Sequence, residues 1–329
     1  MRLSTIGLLV IFALGTLWLP LVAAPPKKVP TIGVLTLASP PSEPDWKQRS
    51  VFLQELRRLG WREGENVTLE FRWASGQFDR SGDLAAELVR LNVDVIYVDN
   101  VFIRAVQHAT TTIPIVMFAI IDPVAEGFIA SLAQPGGNIT GVDASFVMGL
   151  GGKLLELLTE VVSPHARVAI LSNPDTPTVA DMVQEVKVTA QALGTALVFL
   201  EARGPDEFAG AFDMARREGA GALLILPSAV FFLHQKQLAA LAVHHRLPAI
   251  YARPQFAREG GLLTYGPNNP ALLRRVAYYV DRILRGAKPA DLPVERPTQF
   301  DLIINLKTAE TLGLTIPPSL LLRADEVIR

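Results

Sequence analysis

The residues best equipped for chemistry in this 329-residue chain are few, and their spacing excludes more than it admits. Gly149-Leu150-Gly151-Gly152-Lys153 has the glycines and lysine of a phosphate-cradling loop. Val147 stands where the first glycine belongs, however, and Leu154 where a Ser or Thr would bind magnesium. No Gly-x-Gly-x-x-Gly follows the first apolar run, where a dinucleotide site would need it. The histidines, His108, His165, His234, His244 and His245, include no H-x-x-x-H pair. His244 and His245 fall on different faces of a helical pattern, and all five read as surface or rim residues. There is no Gly-x-Ser-x-Gly nucleophile elbow, and with no cysteine there is no thiolate nucleophile, thiolate metal site or disulfide. Carboxylates are numerous, so an acid–base pair stays open on spacing alone. No cofactor, metal or catalytic residue is expected.

A second set of residues is more informative. Leu37-Ala38-Ser39, Asp99-Asn100, Ile121-Asp122-Pro123, Asn173-Pro174-Asp175-Thr176 and Pro227-Ser228 each follow a run of β-branched and aliphatic residues. In open α/β sheets, solutes bind beyond the carboxyl ends of strands, where loops present helix N-termini. Small polar side chains there either cap the next helix or hydrogen-bond a small polar solute, and for any one of them both roles stay open. Exposed backbone N–H groups at such ends favour a carboxylate or another anion. An aspartate or asparagine would read an amine or hydroxyl.

The elements that position these residues alternate at a regular pace. Strands are expected over 31–37, 67–73, 93–98 and 113–118, with helices over 45–59, 84–91 and 102–110 between them. After turn formers at Pro135-Gly136-Gly137-Asn138, where the joint between two halves is expected, the alternation restarts. Strands at 167–171, 196–200, 221–226 and 248–251 are separated by helices at 179–193, 208–218 and 233–244, the second half being led by a helix over 154–162. Strands this apolar need cover on both faces, so each half reads as a three-layer α/β lobe with a parallel sheet. The tail supplies a helix over 272–284, a proline-rich connection and a strand over 300–305. A tail that crosses back between the lobes would build the hinge from several strands.

The start of the chain is of another kind. Arg2 precedes Leu8-Leu9-Val10-Ile11-Phe12-Ala13-Leu14, no charge follows until Lys27, and small residues occupy Ala23-Ala24. This is the pattern of a secretory signal peptide over 1–24, so the mature protein is expected to be exported. The balance of 31 Lys+Arg against 32 Asp+Glu gives a net charge of -1, which provides no footprint for nucleic acid.

Gln134-Pro135-Gly136-Gly137-Asn138-Ile139-Thr140-Gly141 resembles a stretch of the substrate-binding proteins of ABC transporters, in the family with tryptophan- and aromatic-amino-acid-binding members. Similar agreement comes from Leu59-Gly60-Trp61-Arg62-Glu63-Gly64-Glu65-Asn66, from Ile113-Pro114-Ile115-Val116 through Asp122-Pro123-Val124, and from Lys288-Pro289-Ala290-Asp291-Leu292-Pro293. Ile303-Ile304-Asn305-Leu306-Lys307-Thr308-Ala309 and Pro317-Pro318-Ser319-Leu320-Leu321 extend it, so that the resemblance spans about residues 32–328. It implies a periplasmic-binding-protein fold of the first type: two Rossmann-like three-layer lobes joined by a multi-strand hinge. The expected division is residues 29–143 plus about 266–292 in the first lobe, and 144–265 plus about 293–329 in the second.

The resemblance further implies a monomeric periplasmic protein that closes on a small polar solute in the interlobe cleft, an amino acid being one candidate, and delivers it to an ABC transporter permease. Carried over residue by residue, it points to Ser39, Asn100, Asp122, Asn173, Thr176, Ser228 and Tyr265 as ligand-binding. Where many relatives have a small-residue run with Gly and Thr, this chain has Asp99-Asn100-Val101-Phe102, placing a carboxylate and a bulky aromatic there. An exported enzyme using the same cleft, or a sensor docking on a receptor, would share these features.

Overall fold

A computed structural model describes residues 28–40, 43–119, 122–144, 149–163, 165–176 and 179–329, without the side chains of 43–50 and Asn100. The expected signal peptide lies outside them. Among the described residues, no helix is long and apolar enough to cross a membrane.

The first half alternates β1 (Thr31–Thr36), α1 (Glu43–Arg58), β2 (Thr68–Trp73), α2 (Ser81–Arg90), β3 (Val95–Asp99), α3 (Ile103–Ala109), β4 (Ile115–Ala119) and β5 (Ile139–Asp143). Its strands form one parallel sheet in the order β2-β1-β3-β4-β5. The second half runs α4 (Leu150–Thr159), β6 (Arg167–Ser172), α5 (Val179–Leu193), β7 (Leu197–Glu201), α6 (Pro205–Arg217), β8 (Ala220–Ile225), α7 (Ala229–Leu233), α8 (Gln235–His244), β9 (Ala249–Tyr251), α9 (Gln255–Arg258) and β10 (Leu263–Pro267). Then come α10 (Asn269–Leu284), β11 (Phe300–Asn305), α11 (Leu306–Leu312), α12 (Pro318–Leu321) and β12 (Glu326–Ile328). The second sheet has the order β12-β11-β10-β9-β8-β6-β7, parallel except where β11 meets β10.

Both sheets are covered on two faces because strand side chains alternate. In the first, Leu35, Ile96, Val98, Ile115 and Met117 pack under α2 and α3, while Ile32, Val34, Val95, Tyr97 and Val116 pack under α1 and α10. In the second, Ile170, Leu224 and Ile250 face α4 and α5, while Ala169, Leu171, Leu223 and Tyr251 face α6 and α8. Each fully buried aliphatic side chain contributes about 1.5–3 kcal/mol. The architecture is the two-lobed α/β arrangement expected from the sequence.

The lobes are joined three times, and the places of joining orient them. The chain passes from β5 to α4, from the end of β10 directly into α10, and from Glu295, bridged to Val142 of β5, into β11. Phe300 pairs with Pro267, so β11 starts at the carboxyl end of β10. All three crossings therefore leave or enter at the carboxyl ends of β5 and β10. The carboxyl edges of both parallel strand sets face the hinge, and so face each other.

Polar contacts secure this hinge. Arg275 grips Glu295 with two hydrogen bonds (2.7 and 2.6 Å), the Glu295 carbonyl accepts from the Asp143 N–H, and Arg296 pairs with the fully buried carboxylate of Asp143 at 3.2 Å. Asn268 caps α10 by accepting from the Ala271 N–H and donates to Asp301 of β11.

Several expectations need correction. The turn at Pro135–Asn138 is not the joint: the Asn138 side chain donates to the Thr110 and Ile113 carbonyls, tying the turn to the first lobe, and β5 follows. The helix expected over 233–244 begins at Gln235 and is preceded by the separate short helix α7 over Ala229–Leu233. His244 and His245 do not diverge. The helix ends at His244, and the two rings meet edge to face with centroids 5.1 Å apart. The short elements β10, β12, α9, α11 and α12 were not foreseen.

Candidate ligand cleft between the two sheets

Each sheet has a point where the strand order reverses, between β1 and β3 in the first and between β6 and β8 in the second. Open α/β sheets bind their ligands in such crevices. A side-chain hydrogen bond spans each one. In the first lobe, Thr36 Oγ1 donates to Asp99 Oδ2, which also receives the Leu37 N–H at 3.3 Å, while Tyr97 OH donates to Asp99 Oδ1 at 3.2 Å. In the second, Asn173 Nδ2 donates to Ser228 Oγ at 3.3 Å. One crevice holds a carboxylate supplied with neutral donors, and the other an amide–hydroxyl pair.

Of the residues pointed to by sequence, Asn173 and Ser228 are brought together. Asn173 is buried, and its Oδ1 accepts the Asp175 N–H at 2.9 Å. Ser228 stands at the start of α7 without capping it; its hydroxyl accepts from Asn173, a bond that does not use its own proton. Thr176 is half-buried in the turn after β6, its N–H bonded to the Asn173 carbonyl at 3.0 Å. Ser39 is exposed after β1, on the opposing edge. Asp122, after β4, accepts the Val124 and Ala125 N–H groups at 2.9 and 3.1 Å through Oδ1, which shapes its own turn. Asn100 opens the turn after β3, with its side chain outside the described atoms. Tyr265 lies half-buried in β10, its ring stacked on Phe300 at 5.6 Å. The departure at Asp99–Phe102 divides in two: Asp99 stays at the edge, while Phe102 is fully buried in the first-lobe core and leaves the cleft unobstructed.

Arg253 escaped the sequence reading. It follows β9 by two residues, on the second lobe's facing edge, and is half-buried. Its guanidinium lies 5.5 Å from the centroid of the Phe232 ring, and among the described residues no carboxylate pairs with it. Burial without a counter-charge pulls this guanidinium below the usual arginine range. With Ser228, Phe232 and Tyr251 it lines a cavity of ≈ 10 Å³, room for about one water-sized group. The Tyr251 hydroxyl is buried with no hydrogen-bond partner, and desolvation pushes its pKa up.

The edges also expose apolar side chains. Phe78 (46%), Val101 (37%) and Val124 (40%) follow strands β2, β3 and β4, and Leu233 (55%) ends the helix after β8. Among the described residues, no group of three or more His, Asp or Glu could hold a metal ion.

Two parallel-sheet lobes turning polar carboxyl edges toward each other across a triple hinge define a class of cleft-binding proteins. The chain belongs to the ABC transporter substrate binding protein family, whose profile matches residues 31–328. It is 24% identical over 290 residues to the tyrosine-binding protein of Clostridioides difficile (strain R20291), a match covering 88% of this chain and 82% of that one. Among solved structures, a conserved domain protein from Vibrio cholerae is similar at 25% identity and TM-score 0.76, over 91% of this chain and 100% of that one. An ABC domain from Streptococcus pneumonia in complex with L-Trp shares the fold at 23% identity and TM-score 0.76, over 92% and 100%.

Proposed function

We propose that this chain is the exported solute-binding component of an ABC importer. It holds a small polar solute, an amino acid, between the facing carboxyl edges, closes its lobes on it and presents it to a membrane permease. The observation that carries this reading is the placing of all three interlobe crossings at the carboxyl ends of β5 and β10, which makes the facing edges one cleft with a hinge at its side. Such a cleft closes on a solute only to the extent that the solute binds the closed state better than the open one.

The edges suit an amino acid. Asp99 already takes three donors but, as a carboxylate, has lone pairs left for an ammonium. Asn173, Thr176 and Ser228 supply polar contacts from the other lobe, with Ser39, Asn100, Asp122 and Tyr265 completing the proposed set. The exposed Phe78, Val101, Val124 and Leu233 would cover an apolar side chain. A tyrosine-binding relative and a similar fold with L-Trp bound make amino acids the first compounds to test. The signal-peptide pattern over 1–24 supports export to the periplasm, where the protein would act as a monomer.

The test is a melting-temperature screen of the purified mature chain against the twenty L-amino acids, common sugars and small carboxylic acids. A true solute at about 100 times its Kd adds about 2.7 kcal/mol of stability, a rise of roughly 4 °C for a protein of this size. No shift from any of these compounds would contradict the proposal.

A further inference from the structure

We propose that Arg253 reads a carboxylate of the bound solute, one oxygen of which seats in the small cavity beside Ser228, Tyr251 and Phe232 when the lobes close. This rests on the reading of the cleft as a solute site, and it assigns to one side chain a task that the strand-end pattern alone would give to backbone N–H groups.

Three independent observations converge on it. Arg253 follows β9 on the second lobe's facing edge and has no carboxylate partner among the described residues, whereas Arg203, after β7, pairs with Asp175 at 3.7 Å. A half-buried guanidinium without a counter-charge is costly to maintain, and an arriving anion relieves that cost. The cavity beside it holds further unspent polar capacity: the Ser228 hydroxyl accepts from Asn173 but has its own proton to give, and the Tyr251 hydroxyl is buried with no partner. The position of Arg253 is also fixed from behind. An added Cβ on Gly266 of the hinge strand β10 would lie 2.0 Å from the Ala252 carbonyl oxygen and 3.6 Å from the Arg253 backbone nitrogen, so the strand packs directly on the backbone that carries the guanidinium. Phe232 beneath the guanidinium leaves its planar fork free to engage both oxygens of a carboxylate.

The geometry divides the recognition of a zwitterion between the lobes. Arg253 takes the carboxylate from the second lobe and Asp99 faces the ammonium from the first. Neither lobe alone then satisfies the solute.

The experiment is calorimetric titration of the mature protein and its Arg253→Met and Arg253→Lys variants with the twenty L-amino acids and their α-carboxamides. The wild type is expected to bind at least one acid 100-fold or more tighter than its carboxamide. Arg253→Met should lose at least 100-fold in affinity for that acid and bind acid and carboxamide within threefold of each other. Arg253→Lys should recover part of the preference. The melting temperature of empty Arg253→Met should be no lower than that of the wild type, because the arginine has no counter-charge among the described residues and the methionine side chain keeps an apolar contact with Phe232. Unchanged discrimination in Arg253→Met, or an equal loss for acid and carboxamide, would overturn the assignment of Arg253 and leave the solute site standing. A wild type that binds none of the forty compounds overturns the amino-acid reading itself, and this inference with it.

Discussion

The crevice between β1 and β3 and the crevice between β6 and β8 occupy equivalent places in two similarly wound sheets, yet they are built with different chemistry. The first encloses a carboxylate, Asp99, held by the Thr36 hydroxyl, the Leu37 N–H and the Tyr97 hydroxyl. The second joins Asn173 to Ser228 through a neutral bond, and its charge lies one strand further on, at Arg253 after β9. The two lobes are therefore not interchangeable halves of a clamp. One presents an anion already oriented by its own lobe, and the other presents a cation with no carboxylate partner among the described residues. In the proposed function a solute carrying both charges would fit in one orientation only, and closure would bring each charge to its complement.

The hinge glycines allow the sharpest break of this comparison. Gly141 in β5 has φ +137°, and a Cβ there would lie 2.2 Å from the Met117 carbonyl oxygen; Gly266 in β10 meets Ala252 equally closely. Either replacement by Ala should destabilise the protein by about 3 kcal/mol, read as a lower urea midpoint. Only Gly266→Ala pushes on the segment bearing Arg253, so it alone should also weaken solute binding by the folded protein. Equal binding by both variants would separate Arg253 from the hinge strand.

The bonds across the two crevices come next. Thr36→Val removes a donor from a charged group and should cost about 2 kcal/mol, whereas Ser228→Ala removes a neutral acceptor and should cost about 1 kcal/mol. Denaturant unfolding that ranked them in the opposite order would mean that the first crevice does not depend on its charge. The smallest effect concerns pH and the second lobe. Burial holds His245 below its ordinary value of 6.5, an effect that Asp213 opposes and that His244 and Arg216 reinforce. The unfolded chain then takes up a proton before the folded one does, so stability is full above about pH 6.5 and declines as the pH falls below it. His245→Gln should flatten that decline, as followed by melting temperature between pH 7.5 and 5.

Much of the fold was legible in the sequence because long elements carry strong periodicity. The helix over 179–193 and the strand over 167–171 needed only their apolar spacing and Gly194 as a stop. β5 and β10 were not legible: Ile139–Asp143 and Leu263–Pro267 are five residues each with a glycine inside, and only neighbouring strands make them strands. At the candidate site, the juxtaposed Asn173 and Ser228 could be proposed because small polar residues at strand ends are a sequence property. Arg253 could not. It follows a three-residue strand, and its significance lies in burial and in the absence of a partner, neither of which a sequence displays. Phe102 shows the converse, an aromatic that looks like part of the cleft in sequence and turns into the core one residue before α3 begins.

In the proposed function, two differently charged edges close on one solute. Small-angle X-ray scattering from the mature protein, alone and saturated with the amino acid that raises its melting temperature most, tests it directly. A smaller radius of gyration is expected in the saturated sample, with the decrease abolished in Arg253→Met at the same concentration. A radius that stays constant while the wild type is fully bound would contradict closure between the edges.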